Sequence, residues 1–122
     1  MKKIYLFLFV ILNVNLSIFA NPKEVSTAKI TFIEIGSTHC IPCKQMKPIL
    51  KSIENKYKSQ IKVIFYDINK DKDVVKKYNV KLIPTQVFLN EKGEEIHRHQ
   101  GFYPEKEIDK FLQKQGLKIK EK

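Results

Sequence analysis

The sequence predicts one α/β domain with a four-stranded mixed sheet flanked by helices, and three observations lead to this prediction. The chain has 122 residues, enough for one domain. Two apolar, β-branched runs at 28–35 and 61–66 enclose a segment with helical periodicity, an order that predicts a parallel strand pair with a right-handed crossover. The runs at 86–89 and 94–100, separated by the turn Asn90-Glu91-Lys92-Gly93, predict an antiparallel hairpin.

The first predicted strand is followed closely by the longest predicted helix. The strand AKITFIEI is almost continuously apolar, which is typical of a central strand buried on both faces. Gly36 ends it, and a helix is expected from Cys40 onward with Pro48 inside it, where proline removes one backbone hydrogen bond and bends the axis. The buried face of this helix is predicted from apolar residues at steps of three and four: Met46, Ile49, Leu50, Ile53 and Tyr57.

The second half of the chain continues the same alternation. A short helix is predicted at 74–78, and the run 80–85 leads into the strand at 86–89. Pro104 can occupy the first turn of a last helix, and the charged tail at 118–122 is expected to fray. The core is expected to contain the aromatic residues Phe32, Phe65, Phe88 and Phe111.

Residues 1–20 differ in kind from the rest and are predicted to be a secretory signal peptide preceding a domain at 21–122. Lys2 and Lys3 precede an apolar run, and Ala20 meets the small-residue requirement of a cleavage site. The mature protein is therefore expected to be periplasmic or secreted. An uncleaved N-terminal membrane anchor is the alternative, although the run is short for a span and contains Asn13 and Asn15.

The chain is strongly basic, with a formal charge of +10. Its lysines are scattered through helices and loops, and they form no block interleaved with aromatic residues. We therefore expect no nucleic-acid partner. The charge is interpreted as a solvated basic surface that favours acidic partners or anionic lipid.

Cys40 and Cys43 are the only cysteines in the sequence, and they are expected at the first turn of the long helix. This spacing allows a small disulfide ring, and the positive end of the helix dipole stabilises a thiolate on the leading cysteine. A structural bridge is the simpler alternative, but so short a loop removes little entropy from the unfolded chain. The same spacing also occurs in metal sites.

Four segments in order resemble the thioredoxin family over nearly the whole mature length. Cys40-Ile41-Pro42-Cys43-Lys44 followed by Pro48-Ile49-Leu50 is similar to the family's active-site motif and its proline-containing helix. Ile83-Pro84-Thr85 is similar to its cis-proline loop, and Gly101 to the glycine after its last hairpin. The resemblance implies a thioredoxin fold.

The sequence departs from the family pattern in three places. The seven residues between Ala20 and the first strand are too few for the family's first strand and helix, so we expect both elements to be missing. His39 stands where the family usually has an aromatic residue, and Ile41 stands where it has a glycine. These differences are expected to affect the redox potential and the surface that contacts partner proteins, and to leave the thiol chemistry intact.

The resemblance assigns a role to each matching residue. Cys40 is expected to attack a partner disulfide and Cys43 to resolve the mixed disulfide. Glu34, which interrupts the apolar strand, is expected to be a buried carboxylate near Cys43 with a raised pKa, able to take the proton of Cys43. The resemblance further implies that Pro84 is cis and faces the disulfide.

Substrate binding is assigned in the same way. The backbone of Ile83 is expected to pair with an extended substrate segment. The complete set of predicted substrate-binding residues is Ile83, Gly101, Ile41 and Pro42.

The resulting expectation is an exported monomeric thiol-disulfide oxidoreductase that reduces protein disulfides and receives electrons from a membrane protein. No cofactor and no metal are expected. A disulfide-donating oxidase of the same fold is the nearest alternative. A Cu- or Zn-binding module that uses Cys40 and Cys43 as soft ligands is the alternative from another class.

Overall fold

A computed structural model describes residues 27–121, so the predicted signal peptide lies outside the described residues. Within this range no helix combines the length and the apolar character needed to cross a membrane. Four strands and three helices follow in the order β1 (Ile30–Gly36), α1 (Ile41–Tyr57), β2 (Ile61–Asp67), α2 (Asp73–Lys77), β3 (Thr85–Leu89), β4 (Glu95–Gln100) and α3 (Glu105–Lys114), with a short 3-10 turn at Lys58–Gln60 between α1 and β2.

The four strands form one mixed sheet in the order β2-β1-β3-β4. β1 pairs parallel with β2 and antiparallel with β3, and β3 pairs antiparallel with β4. Strand β1 is therefore hydrogen-bonded along both edges, as its nearly continuous apolar sequence predicts. The α/β class, the four-stranded mixed sheet, the parallel pair and the hairpin are all confirmed.

The two faces of the sheet carry separate apolar cores. Ile30 and Phe32 of β1 face α1 and α3, where they pack with Met46, Ile53 and Leu112. Ile33 and Ile35, the alternate residues of β1, face the opposite side of the sheet and pack with Val74 of α2. Because side chains alternate along a strand, Glu34 and Gly36 lie on the face covered by α1 and α3.

Helix α1 is anchored to α3 by polar contacts at its C-terminal end. Lys56 forms ion pairs with Glu105 and Asp109, and the Tyr57 hydroxyl donates to Asp109 Oδ1 at 2.8 Å. Ser52 is also hydrogen-bonded to Glu105. These contacts fix the direction of the helix whose N-terminal end carries both cysteines.

The strand expected at 86–89 is confirmed, but the expectation for the C-terminal tail is wrong. β3 spans Thr85–Leu89, and residues 80–84 before it form a loop. The tail is not frayed at its start, since the Lys118 N–H donates to Gln60 Oε1 and the Lys120 N–H to the carbonyl of Lys56. These bonds join segments far apart in the chain, so local composition could not predict them.

Candidate functional site

Three loops meet at one end of the sheet. The register pairs Ile35 of β1 with Thr85 of β3, and Thr85 with Gln100 of β4. The segment after β1, the segment before β3 and the segment after β4 therefore leave the sheet at the same end. They contain Cys40, Pro84 and Gly101 respectively.

Ser37 holds the loop between β1 and α1 in place. Its carbonyl accepts the Cys40 N–H at 3.3 Å, and its Oγ accepts the His39 N–H at 3.2 Å. The Asn69 side chain, in the loop after β2, donates to the same Oγ at 3.0 Å. The position of Cys40 is thus fixed by both loops that follow the parallel strand pair.

Cys40 is the N-cap of α1 and forms a disulfide with Cys43, with a Cα–Cα distance of 5.1 Å. Its Sγ also accepts the Cys43 N–H at 3.3 Å. Cys40 is half-buried, whereas Cys43 is 4% exposed. The outer sulfur is reachable, and it lies where unpaired N–H groups and the helix dipole stabilise a negative charge.

Gly36 allows the inner cysteine to pack directly against β1. A Cβ placed on Gly36 would lie 2.9 Å from the Sγ of Cys43. A side chain at this position would therefore displace the sulfur. The sequence alone indicates Gly36 only as the end of a strand.

Glu34 is completely buried on the α1 side of the central strand. Its Oε1 accepts a hydrogen bond from Gln86 Nε2 at 3.4 Å, and its Oε2 has no partner among the described residues. Burial raises the pKa of Glu34 to about 8, and the bond from Gln86 partly opposes this shift. Gly36, against which Cys43 packs, is the next residue on the same face, and its Cα lies about 7 Å along the strand from the Cα of Glu34.

The loop before β3 contains the cis peptide bond Ile83–Pro84. The carbonyl of Pro84 accepts the Gly101 N–H at 2.7 Å, so the two loops are bonded to each other. The Thr85 hydroxyl donates to the Leu82 carbonyl at 2.6 Å. No backbone hydrogen bond joins Ile83 to another residue within 27–121, so its main chain is available for a partner.

The predicted substrate-binding residues lie on these converging loops. Ile41 is 71% exposed, and Pro42 and Gly101 are half-buried. Leu82 and Phe102 are also exposed and extend this apolar surface on the Pro84 and Gly101 loops. Sequence reasoning missed both, although each is an apolar residue beside a predicted site residue.

Cys43 also lines a cleft of about 320 Å³. Phe65 lines it and is 41% exposed, so the prediction that Phe65 belongs to the core is wrong. Phe65 belongs to β2, one of the two edge strands of the described sheet. Lys44 and Lys47 also line the cleft and make its rim basic.

His97 and His99 lie on one face of β4, as the sequence predicts, and each has its own partner. His97 Nε2 is 3.0 Å from the Tyr103 hydroxyl, and His99 Nδ1 is 2.9 Å from Gln86 Oε1. Among residues 27–121, no group of three or more His, Cys, Asp or Glu side chains is arranged to hold a metal ion.

The site contains the accessible sulfur of Cys40 at the start of α1 and the buried sulfur of Cys43 bonded to it. The buried carboxyl of Glu34 and the cis-proline loop at Pro84 lie at the same end of the sheet. A cysteine pair in this arrangement can alternate between dithiol and disulfide, with one sulfur open to a partner. The fold and the site thus define the class of thiol-disulfide oxidoreductases.

Comparisons with known proteins identify the family. The sequence profile described as Thioredoxin matches residues 13–114, starting within the predicted signal peptide. Thioredoxin-1 of Drosophila melanogaster is 34% identical over 56% of this chain and 64% of its own length. Thioredoxin of Pongo abelii is 31% identical over 72% of this chain and 82% of its own length. The chain belongs to the thioredoxin family.

A solved structure agrees with this assignment. The germline-specific thioredoxin Deadhead of Drosophila melanogaster superimposes with a TM-score of 0.64 at 29% identity, over 70% of this chain and 80% of that one. The protein is a thiol-disulfide oxidoreductase.

Proposed function

We propose that this protein is an exported reductase of protein disulfides, resupplied with electrons by a membrane protein. The observation that carries the proposal is the difference between its two sulfurs, since half-buried Cys40 caps α1 and Cys43 is 4% exposed. One sulfur can meet a substrate, and the other is almost completely buried next to it. This asymmetry suits a two-step exchange with a separate attacking and resolving group.

In the first step, the Cys40 thiolate of the reduced protein attacks one sulfur of a substrate disulfide. A Cys40–substrate disulfide forms, and the other substrate sulfur leaves as a thiolate that takes a proton from water. In the second step, Cys43 gives its proton to the Glu34 carboxylate and attacks Cys40 Sγ. The second substrate sulfur leaves, so the substrate has gained two electrons and the Cys40–Cys43 disulfide has formed.

The converging loops supply the binding surface for this exchange. The unbonded backbone of Ile83 offers a donor and an acceptor to an extended substrate segment beside Cys40. Exposed Ile41, Leu82 and Phe102 surround that position with apolar surface. An extended segment with apolar side chains next to its cysteine is therefore the form of substrate that fits.

Export is supported by residues 1–20, whose basic start, apolar run and small residue at Ala20 are typical of a signal peptide. Outside the cytosol, cytosolic reductases cannot regenerate the dithiol. A membrane protein that carries electrons across the bilayer is then the donor that the proposal requires.

Two measurements test direction and location. The reduced protein should accelerate insulin reduction by dithiothreitol, and the equilibrium of its cysteine couple with glutathione should lie on the reducing side. Full-length protein in cells should lose its leader and appear outside the cytosol. An oxidising potential would instead favour a disulfide donor, and stoichiometric copper or zinc after anaerobic purification would favour a metal-binding module.

Cys43→Ser is expected to trap substrates on Cys40 as stable mixed disulfides. The variant keeps the accessible attacking sulfur but lacks the one that resolves the adduct. A peptide carrying an internal disulfide should accumulate as a one-to-one covalent adduct, detected by intact-mass spectrometry and released by dithiothreitol. The Cys40→Ser/Cys43→Ser double variant is the control and should form none; equal trapping by both variants would contradict the assignment.

A further inference from the structure

Three polar side chains form one row across the sheet, inside the apolar core. Strand register places Gln86 opposite Glu34 and His99 opposite Gln86. Glu34 and Gln86 are fully buried, and His99 is half-buried on the last strand. The row therefore connects the buried carboxyl to the outer strand of the sheet.

The partners of Gln86 fix the orientation of its amide. Gln86 Nε2 donates to the carbonyl of Gly101 at 3.1 Å and to Glu34 Oε1 at 3.4 Å. A carbonyl oxygen can only accept, so the NH₂ group must be on this side. Gln86 Oε1 then accepts from His99 Nδ1 at 2.9 Å, which requires the proton of His99 to be on Nδ1.

This orientation favours the ionised form of Glu34. A carboxylate needs donors, and the amide presents an N–H to it. A turned amide would instead point its oxygen at Glu34 and at the Gly101 carbonyl, and that arrangement suits only a protonated carboxyl. His99 and Gly101 oppose this turn, because each already occupies its side of the amide.

We propose that Gln86 and His99 are positioning residues that keep an N–H directed at Glu34, so that Glu34 serves as the base when Cys43 attacks Cys40. The proposal rests on the proposed reductase mechanism and extends it to two residues outside the cysteine motif. Because Gln86 also binds the Gly101 carbonyl, the same amide joins the base to the substrate-binding loops.

Other titratable groups lie near Glu34, Gln86 and His99, and a control variant must separate their effects from that of His99. Cys43 of α1 packs against the same strand face, and Asp67 lies on that face at the end of β2. Tyr103 stacks on His99 with 3.9 Å between ring centroids, and Glu107 of α3 acts electrostatically on Tyr103. His97 lies beside His99 on β4, and residues 85–89 of β3 contain no titratable side chain.

His99→Phe tests the proposal, because phenylalanine keeps an aromatic ring against Tyr103 and removes the Nδ1–H donor. The Gln86 amide, no longer held by His99, should then fail to keep its N–H on the Glu34 carboxylate. Resolution of a preformed Cys40 mixed disulfide should be about tenfold slower at pH 7, with its pH midpoint about one unit higher, the effect expected for a weakened hydrogen bond to a charged group. The first attack by Cys40 should keep its rate. His97→Phe removes a histidine from the same strand without touching Gln86, and it should leave the midpoint unchanged.

Two further readouts do not depend on turnover. The pKa of Glu34, followed by NMR of ¹³C-labelled glutamate, should rise in His99→Phe and in Gln86→Leu. In the wild-type protein, ¹⁵N spectra of neutral His99 should show the proton on Nδ1. An unchanged midpoint and unchanged Glu34 pKa in both variants, or a proton on Nε2, would overturn the proposal. If the wild-type protein did not attack a substrate disulfide at all, the proposed function would be wrong. The NMR results would still show whether Gln86 and His99 control the pKa of Glu34.

Discussion

Cys40→Ser is expected to lower insulin reduction to the rate of dithiothreitol alone. A serine hydroxyl does not ionise near neutral pH, and the remaining sulfur, Cys43, is 4% exposed and cannot replace the lost nucleophile. Serine is among the best N-cap residues, so the start of α1 should be preserved. The loss can therefore be assigned to chemistry rather than to unfolding.

Stability measurements supply the control for this result. Reduced Cys40→Ser and reduced wild-type protein should differ in free energy of unfolding by no more than about 1 kcal/mol, the usual size of an N-cap effect. Urea titrations followed by circular dichroism measure the difference. A folded Cys40→Ser variant that still reduced insulin would contradict the role given to Cys40.

Glu34→Gln is expected to stabilise the protein at neutral pH. Burial raises the pKa of Glu34 to about 8 from a usual value near 4.5, so the folded state binds a proton that the unfolded state has already released between these values. The contribution of Glu34 to wild-type stability should therefore be most favourable below about pH 4.5 and should decline toward about pH 8. At pH 7 the glutamine variant should gain about 3 kcal/mol, since one unit of pKa corresponds to 1.36 kcal/mol.

Urea unfolding of the oxidised proteins at a series of pH values measures this gain, which should nearly vanish at about pH 4. Glu91→Gln is the matched control, because Glu91 is exposed in the turn between β3 and β4 and its replacement should leave the pH dependence unchanged. A gain for Glu34→Gln that did not vary with pH would show that the carboxyl is not destabilised by burial.

The same substitution should impair the reaction. Without a carboxylate to accept the Cys43 proton, resolution at neutral pH should slow by about tenfold or more, while the first attack by Cys40 is retained. Stopped-flow traces separate the two steps. A group that costs folding free energy and speeds one chemical step is typical of an active site, where stability is exchanged for function.

Local patterns in the sequence predicted the elements and much of the candidate site. The helical spacing after Cys40 and the alternation of strand and helix were enough to predict the mixed sheet. The cysteine spacing predicted redox chemistry only together with the other segments that resemble the thioredoxin family. Glu34 stood out because a charged residue interrupted an apolar strand. Gln86 is likewise a polar residue in an apolar strand, the one that follows Pro84. The sequence alone indicates no partner for its side chain, so no role could be predicted for it.

The remaining features depend on contacts between distant segments. The bond from His99 to Gln86 exists only because β4 pairs with β3, and the packing of Cys43 against Gly36 only because α1 returns across β1. Exposure of Phe65 likewise follows from the position of β2 at the edge of the described sheet.

The sequence by itself determined the order of elements, the position of the cysteine pair and the presence of a carboxyl within an apolar strand, because each depends on residue type and short-range spacing. The roles of these residues came from the resemblance to the thioredoxin family. Only the tertiary structure decided which sulfur is accessible, how deeply Glu34 is buried and what orients its single partner amide. Burial and hydrogen-bond direction are set by neighbours brought from other strands, so they appear only when the sheet has assembled.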